Sequence, residues 1–307
     1  MEFALITMNK IGQMFVILLV GYLAFKLHIL DNASNKRLSG LLTKIISPFL
    51  VFMSYQMDFD AERLKGLLIT LALAFLTHFL SIAVAQVAIS KKASANAEIE
   101  RFSLVYSNCG FIGIPLISAI YGSEGIFYMT AYITVYNILV WSHGLILMCG
   151  SSTFLGTIKK CMQPATFAIA LGILFFVLQI RIPAILSEPI SQVGSMNTPV
   201  AMIVAGCNLA ESDLMGAMRR LRSYYISFLK LILIPILCIL VMKFIPVSEV
   251  YVISVLVGVS CPVGAMGTML ALQYDKNSNY ATELFAITTI LSLITIPFVM
   301  MVMGFLL

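Results

Sequence analysis

Long apolar runs separated by short polar stretches dominate the sequence. Of its 307 residues, 60% are hydrophobic and 11% are charged, whereas soluble domains contain about 45–50% apolar residues. Because a membrane-spanning helix needs about 20 mainly apolar residues, the runs predict ten segments, numbered here in chain order. These are 3–27, 34–57, 66–90, 101–121, 124–149, 164–180, 189–210, 221–245, 249–273 and 281–306. We therefore predict an all-helical integral membrane protein with ten transmembrane helices.

The basic residues are distributed unevenly between the predicted loops. Cytoplasmic loops of membrane proteins are enriched in Lys and Arg, and an external N-terminus gives twelve such residues inside and four outside. The twelve are Lys26, Lys36, Arg37, Lys91, Lys92, Arg101, Lys159, Lys160, Arg219, Arg220, Arg222 and Lys276; the four are Arg63, Lys65, Arg181 and Lys243. This bias predicts a multi-pass protein of the plasma or inner membrane with both termini extracellular or periplasmic. The net charge of +5 is thus assigned to topology, and no nucleic acid is expected as a partner.

The first segment is expected to remain in the protein as a span. It opens with Glu2 instead of a basic region, and no small-residue cleavage site follows its apolar stretch, so it does not resemble a signal peptide.

Signatures of soluble enzymes and of metal sites are missing from the sequence. There is no GxxxxGK[ST], HExxH or GxSxG pattern and no credible GxGxxG, so neither a nucleotide site nor a hydrolase site is indicated. The six cysteines lie scattered, without metal-ligand spacing: Cys109, Cys149, Cys161, Cys207, Cys238 and Cys261. We expect no enzyme activity, no catalytic residue, no cofactor and no metal.

The two halves of the chain resemble each other at an offset of 151 residues. Three pairs coincide at this offset: Gly21 with Gly172, Pro48 with Pro199, and 108–115 with 259–266. The repeats would cover 1–150 and 151–307, with five spans each. Because five is odd, the second repeat would enter the membrane from the opposite side. Inverted repeats of this kind are typical of secondary transporters, whose binding sites lie where paired discontinuous helices meet.

Segment 4 carries residues that interrupt a helix. Gly110 and Gly113 weaken it through backbone entropy, and Pro115 removes an N–H group. We predict a half-helix ending near Asn108, a short extended link and a second half-helix beginning near Ile114. The alternative is that glycine and proline merely kink an ordinary packed helix.

Segment 9 carries the matching interruption, at Ser260, Cys261, Pro262 and Gly264. If the interruptions cross, helix N-termini in a dry environment favour an anionic group, while free carbonyls hold cations or polar groups. Asn108 either contacts substrate or satisfies freed backbone groups. The predicted substrate-binding residues are Asn108, Gly110, Gly113, Pro115, Ser260, Cys261, Pro262 and Gly264.

Other polar or helix-kinking residues are weaker candidates. Those considered for lining a cavity are Ser47, Pro48, Asn197, Pro199 and Asn137, with simple kinking as the alternative for the prolines. Ionisable residues within spans are functional candidates by default, and Lys10, Lys44 and Lys230 qualify by position. No Asp or Glu is expected deep in a span, which argues against a carboxylate proton relay and leaves an anion carrier open.

Three stretches resemble the auxin efflux carrier family, whose bacterial members include malonate- and malate-type carriers. "YSNCGFIGIPL" at 106–116 is similar to that family's Asn-x-Gly-Phe-x-Gly-x-Pro-Leu signature. "NTPVAMIVAGCNLAES" at 197–212 resembles its seventh span. "VSCPVGAMGTMLALQYDKNSNYATELFAITTILSLITIP" at 259–297 resembles its ninth and tenth spans. The resemblance covers essentially the whole chain.

The resemblance implies ten helices with crossed, broken helices 4 and 9. Helices 1, 2, 6 and 7 would form a scaffold that often dimerises, and helices 3–5 and 8–10 a transport domain that moves like an elevator in the bilayer. It further implies that Asn108 contacts a small organic anion, such as a carboxylate. The central cytoplasmic loop of the plant carriers has only a short counterpart at 150–163, so we expect no phosphorylation control there.

Two other functions stay open at this point. One is a sodium-coupled organic-anion symporter of the bile-acid type, although no acidic or densely polar cluster indicates a sodium site. The other is a membrane receptor that binds but does not transport. Substrate, direction and coupling ion are not specified by the sequence.

Overall fold

The protein is helical throughout the part that the structure covers. The computed structural model describes residues 2–90, 94–149 and 163–306, so of the predicted central loop at 150–163 only Gln163 is described. These ranges hold helices and no strand, apart from an isolated antiparallel pairing of Ser107 with Val263. The predicted all-helical class is confirmed for the described residues.

The helices are labelled α1 to α12. They are α1 (Glu2–Lys26), α2 (Asn32–Ser54), α3 (Ala61–Ala88), α4 (Ala97–Val105), α5 (Cys109–Cys149), α6 (Pro164–Val177), α7 (Ala184–Glu211), α8 (Leu214–Arg219), α9 (Leu221–Met242), α10 (Glu249–Ser260), α11 (Met266–Gln273) and α12 (Ser278–Leu306). Gly122, at φ +59°, interrupts α5, where the sequence predicts the boundary between segments 4 and 5. Seven of the described helices are long and apolar enough to span a membrane. The number of ten stays a prediction, because α6 and α10 are shorter and α5 contains parts of two predicted segments.

Three prolines follow a locally widened turn of a helix that continues past them. Turns of π-helix at Leu42–Ile46, Cys109–Gly113 and Leu229–Leu233 each end two residues before a proline: Pro48, Pro115 and Pro235 respectively. Proline has no N–H and its ring clashes with the carbonyl four residues back, and a wider turn relieves that clash.

Glycines allow α1 and α7 to cross closely. A Cβ atom on Gly206 would lie 2.0 Å from the carbonyl oxygen of Leu18, and one on Gly21 would lie 2.3 Å from that of Ile203. Small residues at helix crossings are typical of membrane proteins, because close backbone approach supplies the van der Waals contact that holds the helices together. In the same way α6 meets α2, where Gly172 packs against the ring of Tyr55.

A second group of helices packs around Tyr132 of α5. Its ring lies against Gly258 of α10, where an added Cβ would come within 2.6 Å, and 4.7 Å from the ring of His78 on α3. This group meets the first one at Tyr55, whose hydroxyl bonds with that of Thr130. One packed group thus contains α1, α2, α6 and α7 and another surrounds Tyr132, and α1 also packs against α12.

Candidate functional site

The two interrupted helices meet at their interruptions. The chain is extended or irregular at Tyr106–Asn108, between α4 and α5, and again at Cys261–Ala265, between α10 and α11. The backbone N–H of Asn108 donates to the carbonyl of Pro262 at 2.7 Å, and the N–H of Gly264 donates to the carbonyl of Tyr106 at 3.1 Å. Each link therefore satisfies backbone groups that the other leaves free, as buried backbone requires. We call this pairing the crossing.

The first interruption lies earlier than the sequence predicts. The first half-helix ends at Val105 instead of near Asn108, and the second begins at Cys109 instead of near Ile114. Gly110 and Gly113 are therefore helical, in the π turn that precedes Pro115. The prediction was wrong here because the wide turn absorbs the proline, so the helix continues through both glycines.

Two glycines at the crossing allow neighbouring segments to pack closely, because a Cβ atom at either position would meet atoms of the facing segment. A Cβ on Gly264 would lie 3.1 Å from the carbonyl oxygen of Ser107. One on Gly113 would lie 2.7 Å from the Cε of Met129 and 3.3 Å from the Sγ of Cys261. Gly110 differs, since nothing lies within 4 Å of its missing Cβ, and it leaves open space beside the first turn of α5.

Two buried polar side chains at the crossing lack partners. Asn108 is 6% exposed and Ser260 is 1% exposed. Neither the side-chain nitrogen of Asn108 nor the hydroxyl of Ser260 has a hydrogen-bond partner among the described residues. A buried donor left unpaired costs about 1–3 kcal/mol, so these groups are suited to bind a polar ligand or ordered water. The backbone of Asn108 is satisfied separately, since its carbonyl accepts from the N–H of Ile112 at 3.0 Å.

A cavity of about 250 Å³ lies beside the start of α5. It is lined by α1, α5 and α7, through Lys10, Gln13, Met14, Ile17, Pro115, Ser118, Ala119 and Thr198. Lys10 supplies the only charge in this lining. Of the predicted binding residues, Pro115 lines it.

A second cavity, of about 510 Å³, lies beside α11. Its lining comes mainly from the C-terminal end of α7, α11 and the start of α12: Asn208, Glu211, Ser212, Asp213, Ala265, Thr268, Met269, Leu272, Asn279, Thr282, Glu283 and Phe285. Helix α7 thus lines one cavity near its middle, at Thr198, and the other near its end, at Asn208. Each half-helix that follows an interruption lines one of the two cavities.

The five residues considered for lining a cavity line neither of these two. Ser47 donates to the side-chain oxygen of Asn197 at 2.7 Å, between α2 and α7, whereas the side-chain nitrogen of buried Asn197 has no partner among the described residues. Pro48 is buried, Pro199 is exposed and Asn137 is half-buried on α5. Thr198 faces the smaller cavity, because neighbouring residues of a helix point about 100° apart.

Two charged side chains have partners that the sequence did not predict. Lys230 is fully buried in α9 and its ammonium donates to the hydroxyl of Ser107 at 2.6 Å. Glu100 is 1% exposed although it lies outside the predicted spans, and it pairs with Arg222 through bonds of 2.9 and 2.7 Å. The predicted segment began one residue after Glu100, and the partners lie more than a hundred residues away in sequence, so no local signal indicated either pair.

Comparison with known proteins gives two matches across nearly the whole chain. The model of a family described as membrane transport protein matches residues 6–156 and 151–300. An uncharacterized transporter of Methanothermobacter thermautotrophicus is 22% identical over 289 residues, which is 92% of this chain and 93% of the relative.

Proposed function

Because the chain belongs to the membrane transport protein family, we propose that it is a secondary carrier that moves a small organic anion across the membrane. The family assignment makes it a transport protein and not an enzyme. Our proposal adds the class of substrate, the place where it binds and the manner of its movement.

The crossing is the observation that carries this proposal. Two interrupted helices bind each other through the Asn108–Pro262 and Gly264–Tyr106 hydrogen bonds, and the half-helices that follow line separate cavities. Non-helical backbone within a membrane is tolerated where it is buried in protein or lines a wet cavity. Discontinuous helices that meet in this way form the substrate sites of secondary transporters. We therefore propose that the substrate binds at the crossing, in contact with Asn108 and Ser260.

The preference for an anion rests on the charges around the crossing. The N-terminal ends of α5 and α11 carry partial positive charge, and Lys10 adds a full one to the smaller cavity. In the larger cavity, two of the three acids already have partners. Glu283 lies 3.2 Å from Arg220, and Asp213 caps α8 by accepting from the N–H of Gly216 at 3.0 Å. A carboxylate is the organic anion that best fits the two unpaired donors, because it accepts several hydrogen bonds.

The two packed groups of helices support an elevator-type movement. In this proposal α1, α2, α6 and α7 form the scaffold, and the remaining spans carry the crossing. The cavities lie between the groups, so movement of one group against the other would open them in turn. The proposed inverted repeat is supported by Gly21 and Gly172, which lie 151 residues apart: an added Cβ would meet the backbone of Ile203 at Gly21 and the ring of Tyr55 at Gly172.

The proposed scaffold has an exposed apolar face, which lipid or another protein would cover. Val16, Leu19 and Leu23 of α1 are each more than half exposed, and the lipid bilayer or a second copy of the chain would cover them. We propose a homodimer formed through the scaffold, in the plasma or inner membrane, with both termini extracellular or periplasmic.

Uptake into proteoliposomes tests the proposal. The purified protein is reconstituted and offered labelled monocarboxylates, dicarboxylates and indole acids, with empty liposomes as the control. We expect saturable accumulation of at least one carboxylate and its exchange against unlabelled substrate loaded inside. Saturable binding without accumulation would instead identify a receptor, and failure of the whole panel would remove the substrate class.

A further inference from the structure

Lys230 places a charged group inside the crossing. Its side chain has 0% exposure. The ammonium donates to the hydroxyl of Ser107 at 2.6 Å and to the carbonyl of Leu104 at 3.2 Å. Ser107 belongs to the first link, and Leu104 lies in the last turn of α4. The lysine therefore binds the interruption itself and not a neighbouring helix surface.

The local backbone explains how the side chain reaches this place. Lys230 lies in the π turn Leu229–Leu233 of α9, which precedes Pro235. Single π turns change the direction of side chains within a helix and are frequent at functional sites.

The end of α4 compensates part of the charge. The last carbonyls of a helix lack partners within it and carry partial negative charge, and Leu104 supplies one of them. No carboxylate forms an ion pair with Lys230 among the residues that the structure describes. Because the carbonyl of Leu104 supplies only part of a negative charge, the protonated Lys230 leaves the crossing with an excess of positive charge.

The partners of the ammonium are of the type that hold a cation in transporters. Coupling ions are bound there by carbonyls of unwound backbone and by the C-terminal ends of half-helices. Here those positions are taken by a covalently attached ammonium.

We propose that Lys230 is a resident cation of the crossing, which takes the position of a coupling sodium ion and provides the positive charge for an anionic substrate. The proposal rests on the proposed function, since it specifies the charge and coupling of that same site. It predicts that substrate transport needs no sodium. It also makes Lys230 a positioning residue for the link that contains Ser107 and Asn108.

Two substitutions of Lys230 test this proposal, because they leave different amounts of space where the ammonium lies. Lys230→Ala removes the charge and leaves room next to the Leu104 carbonyl and the Ser107 hydroxyl, whereas Lys230→Met removes the charge but fills most of the space. Thermal stability in detergent is measured in sodium chloride and in choline chloride, and carboxylate uptake is measured with both salts. Lys65→Ala, on an exposed surface, is the control.

We expect wild type and Lys65→Ala to be indifferent to sodium in both assays. Lys230→Met should lose most uptake and stay indifferent to sodium. Lys230→Ala should lose uptake in choline and gain apparent melting temperature in sodium, by about 2–4 °C for a moderately bound ion. A Lys230→Met variant with full uptake, or a folded Lys230→Ala variant without any response to sodium, would overturn the proposal.

If Lys230→Ala does not fold, the effect of sodium on the stability and uptake of the wild-type protein tests the proposal. Sodium that stabilises the wild-type protein or drives its uptake would contradict a resident cation and favour a sodium-coupled symporter. Because thermal stability needs no substrate, the resident cation can be tested even if the carboxylate panel fails.

Discussion

The backbone N–H of Asn108 donates a hydrogen bond of 2.7 Å to the carbonyl of Pro262. This bond joins the interruption of the first half of the chain to that of the second. It satisfies the backbone of Asn108, so the side-chain nitrogen, which has no partner among the described residues, is left for another role. The sequence left two alternatives for the Asn108 side chain, bonding to freed backbone and contact with substrate. Its nitrogen bonds to no backbone group among the described residues, and contact with substrate stays a prediction.

Asn108→Ala should reduce carboxylate uptake without loss of stability. A hydrogen bond to a charged group contributes about 1.5–3 kcal/mol, so the specificity constant for uptake should fall about 10–100-fold. The folded protein loses no side-chain partner of that nitrogen, and its melting temperature should be nearly unchanged. Asn137→Ala, on α5 but outside both cavities, is the control in the same uptake assay. Full uptake by Asn108→Ala would remove the contact role.

Lys10→Gln should weaken the binding of an anion in the smaller cavity. Lys10 is the only charged residue in that lining, and the loss of one charge-assisted interaction should raise KM for uptake about tenfold or more. The matched control is Lys65→Gln, since Lys65 lies on an exposed surface of α3. An unchanged KM in Lys10→Gln would show that the anion does not pass Lys10.

Glu100→Gln should destabilise the protein much more than a surface substitution of the same kind. Glu100 is 1% exposed and accepts two bonds from Arg222 and one from the hydroxyl of Tyr280. Removing one partner of a fully buried pair costs about 3–5 kcal/mol, and the cost should be smaller here because the Arg222 side chain is 37% exposed. Asp58→Asn is the control, because its pair with Arg181 is exposed and is worth about 0–1 kcal/mol. Equal melting temperatures of the two variants would contradict a structural role for the buried pair.

Gly206→Ala should separate α1 from α7. The added methyl group would lie 2.0 Å from the carbonyl oxygen of Leu18, so the helices have to move apart, at a cost of about 1–3 kcal/mol. Gly12→Ala on α1 is the control, since nothing lies within 4 Å of its added Cβ. We expect a lower melting temperature for Gly206→Ala alone, and an unchanged one would argue against the tight crossing.

The approximate positions of the long apolar helices could be predicted from the sequence because the bilayer sets the length of each apolar run. The interruptions could be located approximately because glycine and proline are clustered beside them, at 110–115 and 262–267. Their boundaries could not, because the π turn before Pro115 accommodates the ring and moves the extended link to Tyr106–Asn108. A turn of this kind depends on packing, for which the local sequence has no clear signal.

The side chains of the site were less predictable than its backbone. Thr198 lines the smaller cavity instead of Pro199, and a difference of one residue is about 100° on a helix. Lys230 stood out as a charge within a span, but its bond to Ser107 joins two distant parts of the chain. Only the three-dimensional arrangement of α4 and α9 identifies that contact.

Side-specific labelling of two introduced cysteines tests most directly whether the crossing is reached from two cavities in turn. Ser118→Cys reports on the smaller cavity and Thr268→Cys on the larger one, each in a background without the native cysteines. An impermeant thiol reagent is applied to either face of proteoliposomes, with and without a transported carboxylate. We predict that each cysteine is labelled from one face, that the two faces are opposite, and that substrate changes the two rates in opposite directions. Labelling of both from the same face, or rates that rise or fall together, would contradict alternating access.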